Sequence, residues 1–87
     1  MNVDVVSTTA ALWSGEASSV VVPAADGSMG ILTGHEPVLA LLKPGTVRIT
    51  PTSGGGPVEL EVDEGFVSVD DDAVTVVVER GARATEQ

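Results

Sequence analysis

The only histidine, His35, stands in Thr33-Gly34-His35-Glu36-Pro37. Histidine titrates nearest neutrality, so it is the first candidate for a general base. A base needs a nucleophile to activate and a third group to orient it, and a Gly/Pro-framed loop supplies neither. A role in bracing the loop or touching a partner fits the residue better than catalysis. Thirteen carboxylates are the next resource. Asp70-Asp71-Asp72 has the hard oxygen ligands that calcium takes, but calcium loops alternate their ligands along the backbone and end on a bidentate Glu. Three adjacent aspartates between two apolar runs read as a solvated turn. Glu59 and Glu61 share one face with like charge and read as a wet face, not as a pair with split proton affinities.

Other reactive types give equally little. Trp13, beside Ser14-Gly15, is one of two aromatic residues, and stacking on sugars or bases requires a platform of several rings. It reads as a plug at one end of a core. Ser7, Ser14 and Ser28 have no His/Asp partners at a usable spacing. Lys43 is the sole lysine. A swinging-arm carrier, lipoylated or biotinylated, would need it at a hairpin tip, and Pro44 beside it favours a plain turn. The stretch from Asp26 to Leu39 is more informative, with Gly27, Gly30 and Gly34 interleaved with Met29, Ile31 and Leu32. It is expected to be a shaped loop that exposes or half-exposes these three apolar residues. It either folds back on its own core or offers a rigid apolar contact surface, and the residues alone leave both open.

The elements that position these groups are strands. Valine dominates, with threonine beside it, and Cβ branching suits a pleated surface better than a helix. Turn signals recur at short intervals, as in an all-β sandwich or barrel. Strands are expected at residues 3–7, 16–22 (ended by Pro23), 39–42, 46–50, 58–62, 66–69 and 74–79. Pro44-Gly45 makes a turn between two of them. The sequence Val58-Glu59-Leu60-Glu61-Val62 alternates strictly, apolar in and charged out. Val76-Val77-Val78 is apolar on both faces, as in a strand covered on two sides or docked on a partner. Residues 50–57 form a hairpin loop whose Gly triplet allows positive φ; a phosphate cradle would need a following helix and usually a lysine. Residues 80–87 read as a tail that begins like a helix and stops.

Composition sets the outer bounds. A chain of 87 residues makes one domain, with no room for a large interdomain cleft. Cysteine is absent, which excludes disulfides and thiolate zinc sites. The net charge of −9, with four scattered basic residues, opposes nucleic-acid binding and direct insertion into an anionic lipid surface. No apolar stretch approaches the roughly 20 residues of a membrane span. The N-terminus lacks the pattern of a secretory signal. The expectation is a soluble, acidic, cytoplasmic domain without cofactor or metal.

Six segments, in order, carry a family resemblance. They are Val3-Asp4-Val5-Val6-Ser7, Trp13-Ser14-Gly15, the run Gly27 to Pro37, Leu42-Lys43-Pro44-Gly45-Thr46-Val47-Arg48-Ile49, Gly65-Phe66-Val67-Ser68-Val69 and Val74-Thr75-Val76. Together they resemble the N-terminal β-sandwich domain of the epsilon subunit of the bacterial F-type proton-translocating ATP synthase, over residues 3–79. The resemblance implies a flattened sandwich of about ten short strands over residues 1–79, then the short tail 80–87. It implies a non-catalytic central-stalk subunit that docks on the gamma subunit and the ring of c subunits. That subunit couples proton-driven rotation to ATP synthesis at the cytoplasmic face of the plasma membrane. By the same resemblance Ser28, Met29, Gly30 and Ile31 would meet the ring, and Ser7, His35 and Ala40 would lie at the gamma contact. A free-standing acidic module for protein or carbohydrate is the alternative.

Two departures from the family pattern stand out. Ser28 replaces a glutamate common in relatives, which puts a charge-based ring contact there in doubt. The family's helical hairpin, with its Ile/Leu-Asp-x-x-Arg-Ala motif, is expected to be missing, since Arg83-Ala84 lacks the preceding Asp at the matching interval. The expectation is a chain without ATP binding or helix-insertion inhibition.

Overall fold

Alternating valines build this molecule, because a strand sends successive side chains to opposite faces. The computed structural model describes residues 1–83, and among them it contains nine strands and no helix. In chain order these are β1 (Asn2–Ser7), β2 (Ala11–Ala24), β3 (Gly27–Leu32), β4 (Val38–Leu42), β5 (Gly45–Pro51), β6 (Val58–Val62), β7 (Gly65–Asp70), β8 (Ala73–Val78) and β9 (Gly81–Arg83). They form two packed layers. The first runs β2–β1–β8–β7–β4 and the second β3–β2–β5–β6–β9. Among the described residues, only β1 and β8 pair in parallel.

Strand β2 belongs to both layers. Its first half pairs with β1 as far as Glu16, and its second half, from Ala17, pairs with β5 and β3. Register breaks at Val5/Val6 against β1 and at Ala17/Ser19 against β5 flank the change of layer. Such irregularities bend and twist a strand, and here they carry it from one sheet into the next. Between the layers lie Val3, Val5, Val20, Val22, Ile31, Val47, Ile49, Leu60, Val67, Val74, Val76 and Val78, all fully buried. Burying one such side chain stabilises by about 1.5–3 kcal/mol. That is a sizeable part of the roughly 5–15 kcal/mol by which domains are stable. The body measures 30 × 29 × 22 Å along its principal axes, a flattened sandwich.

Three sequence expectations are corrected. The segment Gly27–Leu32 is not a loop but the edge strand β3, paired with β2 from Ser19↔Leu32 to Ala24↔Gly27. Pro23 does not end β2, which continues to Ala24. The last β2–β5 pair is Val21↔Arg48, so the N–H that proline lacks interrupts no ladder, and the Pro23 carbonyl accepts a hydrogen bond from Lys43 N at 2.9 Å. The sandwich also does not stop at residue 79. Gly81–Arg83 adds a short antiparallel edge to β6 and is not the start of a helix; residues 84–87 lie outside the described residues.

The expected turns hold. Asp71 and Asp72, at φ 51° and 68°, form the two-residue connection of the β7–β8 hairpin, a turn that needs positive φ at both centres and that aspartate tolerates. Strands β4 and β5, on either side of Pro44, do not pair with each other. Strand β4 pairs with β7 and, at Ala24↔Leu42 alone, with β2, while β5 pairs with β2 and β6, so Lys43-Pro44 carries the chain between layers.

Candidate functional site

The outer faces of the two layers differ. On the first layer the register aligns Val6, Val77, Phe66 and Leu41 in one row across four strands. The next row is Asp4, Thr75, Ser68 and Leu39. Leu39 and Leu41 are 72% and 71% exposed and Phe66 is 39% exposed, while Val6 and Val77 are half-buried. An apolar band therefore crosses a sheet face that should be polar if it met only water. None of β1, β4, β7 and β8 contains a lysine or arginine. Carboxylates rim the band: Asp4 beside it, Asp70–Asp72 at one end, Glu64 and Glu79 at the other.

His35 and Ser7 stand at opposite ends of this layer. His35 precedes β4, whose Val38 pairs with Val69, and lines an open hollow with Thr33, Gly34, Pro37 and the three aspartates. Its peptide N–H donates to the Leu32 carbonyl at 3.0 Å, and its Nδ1 donates to the Glu36 carbonyl at 2.7 Å. Since a carbonyl only accepts, Nδ1 carries a proton in this arrangement. At the other end, Ser7 pairs with Val78. Its Oγ accepts from Ala10 N at 3.1 Å and Thr9 N at 3.3 Å, which ties up the β1–β2 connection. Both residues thus brace loops, and the apolar band lies between them. Ala40 is half-buried against the core, on the opposite side of β4 from Leu39 and Leu41. The structure does not gather Ser7, His35 and Ala40 into one cluster.

The hairpin made by β2 and β3 holds the other four residues singled out in the sequence. Ser28 and Gly30 are exposed on its outer side. Met29 turns inward, half-buried, into an open groove between β3 and β4 that Val38 and Ala40 also line. Ile31 was expected to be exposed or half-exposed and is fully buried, so its side chain cannot reach a partner. The cause is the period of two: once 27–32 is a strand, Met29 and Ile31 share the face that points inward.

Among the described residues no three His, Asp or Glu groups converge on a point where a metal ion could sit. Trp13 packs half-buried on the core against Gly15, which leaves Phe66 as the one exposed ring. Two aromatics so placed make no stacking platform. Lys43 is exposed but lies on a crossover, not at a hairpin tip, so nothing presents it as a carrier arm. Leu39, Leu41 and Phe66 were not anticipated as site residues. The available signal was Val38-Leu39-Ala40-Leu41-Leu42, which has no polar residue on either face of the strand.

The arrangement is an all-β sandwich with an apolar band on one outer face and the β2–β3 hairpin at an edge of the other. The sequence profile of the family described as "ATP synthase, Delta/Epsilon chain, beta-sandwich domain" matches residues 1–84, and the chain belongs to that family. It is 41% identical to the ATP synthase epsilon chain of Neisseria meningitidis serogroup C, over 99% of this chain and 61% of that one. It is 42% identical to the epsilon chain of Frankia casuarinae, over 91% of this chain and 92% of its relative. The chain therefore spans about three-fifths of the length of relatives such as the Neisseria protein, and most of the Frankia one. A chain in the mitochondrial ATP synthase of Euglena gracilis superposes with a TM-score of 0.85 at 20% identity, over 93% of this chain and 51% of that chain. One in the central stalk/c-ring structure of the Tetrahymena thermophila enzyme gives 0.76 at 19%, over 93% and 64% respectively. At those identities the two structures speak for the fold alone.

Proposed function

We propose that this chain is a non-catalytic rotor component of a proton-translocating ATP synthase, which docks on the gamma subunit and the c-ring and helps couple rotation to ATP synthesis. The observation that carries the reading is the apolar band of Val6, Val77, Phe66, Leu41 and Leu39, rimmed by carboxylates. Apolar side chains at the centre of a surface with a charged margin suit permanent packing against another protein. The anionic rim favours a partner with basic residues around an apolar ridge, through register and steering more than through raw affinity. This face is assigned to gamma, with His35 and Ser7 at its two ends.

The β2–β3 hairpin is assigned to the ring, with Ser28 and Gly30 outward. A part that transmits torque has to resist shear, and a sandwich whose layers share one continuous strand, β2, has that stiffness. Placement is peripheral, at the cytoplasmic face of the membrane, held by protein contacts and not by inserted strands or lipid-binding side chains.

Co-purification tests this directly. In a detergent extract of source membranes the chain is expected to elute in fixed ratio with a gamma-type subunit and the rotor ring. Elution as a free protein, with the rest of the enzyme intact, contradicts the assignment.

A further inference from the structure

An apolar sheet face open to water is a surface on which other chains associate, a second copy included. Leu39 and Leu41 stand exposed on β4, with Phe66 beside them on β7. The broad side of the body, 30 × 29 Å, is of the size that a standard interface covers on each partner, about 800 Å². A copy laid face to face would therefore find enough surface for a dimer. No Lys or Arg on β1, β4, β7 or β8 breaks up such a contact. Joining at the β4 edge is partly closed, because Ala24 pairs with Leu42 and Ala25 N donates to the Leu41 carbonyl at 2.9 Å. The face itself is guarded only by charge.

Period two places that charge. Asp70 continues the outward row of Phe66 and Ser68, and Asp4 lies outward two residues before Val6. At the other end the β7–β8 ladder runs on to Glu64 and Glu79, whose N–H donates to the Glu64 carbonyl at 3.0 Å. In a two-fold pair the same surface meets itself. With the axis along the strands, each end of the face lies over its own copy; with the axis across them, one end lies over the other. Both ends are acidic, so carboxylates meet carboxylates either way. Of the cations nearby, Arg80 is held by Asp63 at 3.5 Å, Lys43 forms no ion pair among the described residues, and the Met1 ammonium lies 3.9 Å from Asp72. The margin stays negative with these counted. We propose that the carboxylate margin holds the unassembled chain as a monomer: without those charges, the apolar band pairs with the band of a second copy about a two-fold axis. Charges that suit a basic partner make a second copy the wrong one, which is selection by a difference of affinities.

The full chain alone tests this, with no rotor present, so the result is independent of the rotor assignment. Sedimentation equilibrium compares wild type with the fourfold variant Asp4→Asn, Glu64→Gln, Asp70→Asn, Glu79→Gln. Each is run in about 0.01 M and about 1 M salt, where charges are felt over about 30 Å and about 3 Å. All four side chains are exposed and keep their shape, so the variant should melt like wild type. Wild type is expected to be monomeric at low salt and to self-associate at least about tenfold more tightly at high salt. The variant should dimerise already at low salt, with an affinity that salt changes little. Adding Leu41→Ser and Phe66→Ser should return it to monomer. A variant that stays monomeric at both salt levels overturns the proposal, as does a dimer that survives Leu41→Ser and Phe66→Ser. Wild-type self-association that is unchanged or weaker at high salt overturns it too, whether or not the variant folds.

Discussion

The two outer faces of the sandwich share one core and one alternating pattern, yet they meet their surroundings differently. On the second layer, the outward positions of β5 and β6 are polar and satisfied across the two strands. Arg48 pairs with Glu59 at 3.6 Å, and Thr46 Oγ1 donates to Glu61 at 2.7 Å, each between residues directly opposite in the β5–β6 register. On the first layer the equivalent places hold Leu39, Leu41, Phe66 and Val77. Folding requires only the inner face. On the proposed function, the difference separates a face packed on protein from the wet β5–β6 face.

The sharpest way to break this comparison is to put one charge on each side of a single strand. Val76→Asp places an unpaired carboxylate among fully buried side chains. That costs several kcal/mol, on the order of the domain's whole stability, and circular dichroism should find it unfolded. Val77→Asp, one residue on, points to the outer face and should fold with its melting temperature little changed, while losing rotor binding. If Val76→Asp melts like wild type, the inner and outer faces have been assigned the wrong way round.

A smaller effect is expected for Leu41→Ser combined with Phe66→Ser. These side chains are exposed, so stability should change by no more than about 0.5 kcal/mol per site, as for ordinary surface substitutions. Binding to a gamma-containing rotor should fall by at least about tenfold, the cost of losing interface anchors. Unchanged binding in a titration with purified rotor would mean that the band is not the docking face. The smallest effect belongs to Glu59→Ala on the second layer. Arg48 and Glu59 are both solvent-accessible, and an exposed pair of this kind contributes about 0–1 kcal/mol. Rotor affinity should not move. A marked loss there would make the polar face an interface too and erase the contrast.

Much of this was legible in the residues, for a physical reason that also marks the limit. Val58-Glu59-Leu60-Glu61-Val62 and the valines of β1 and β8 declare their strands because burial of one face imposes period two. The strand β3 was hidden by Gly27, Gly30 and Gly34, which read locally as a loop. Its order comes from β2 beside it, a non-local partner, and Ile31 was placed outside for the same reason. In Gly81-Ala82-Arg83 the local preference leans to helix, and the free edge of β6 overrides it. The first layer's outer face was half visible. Val76-Val77-Val78 was read as apolar on both sides, but aligning Val77 with Phe66 and Leu41 requires the register of three strands, which one sequence does not state.

The central claim is that the band of Leu39, Leu41 and Phe66 is covered by protein in the working rotor. Hydroxyl-radical footprinting of the chain, free and assembled, measures this side chain by side chain. The account predicts that oxidation of these three residues drops to near background on assembly, while Pro57 and Arg48, on the second layer and its hairpin loop, react as in the free chain. Equal oxidation of the three residues in both states, or protection confined to the second layer, would contradict it.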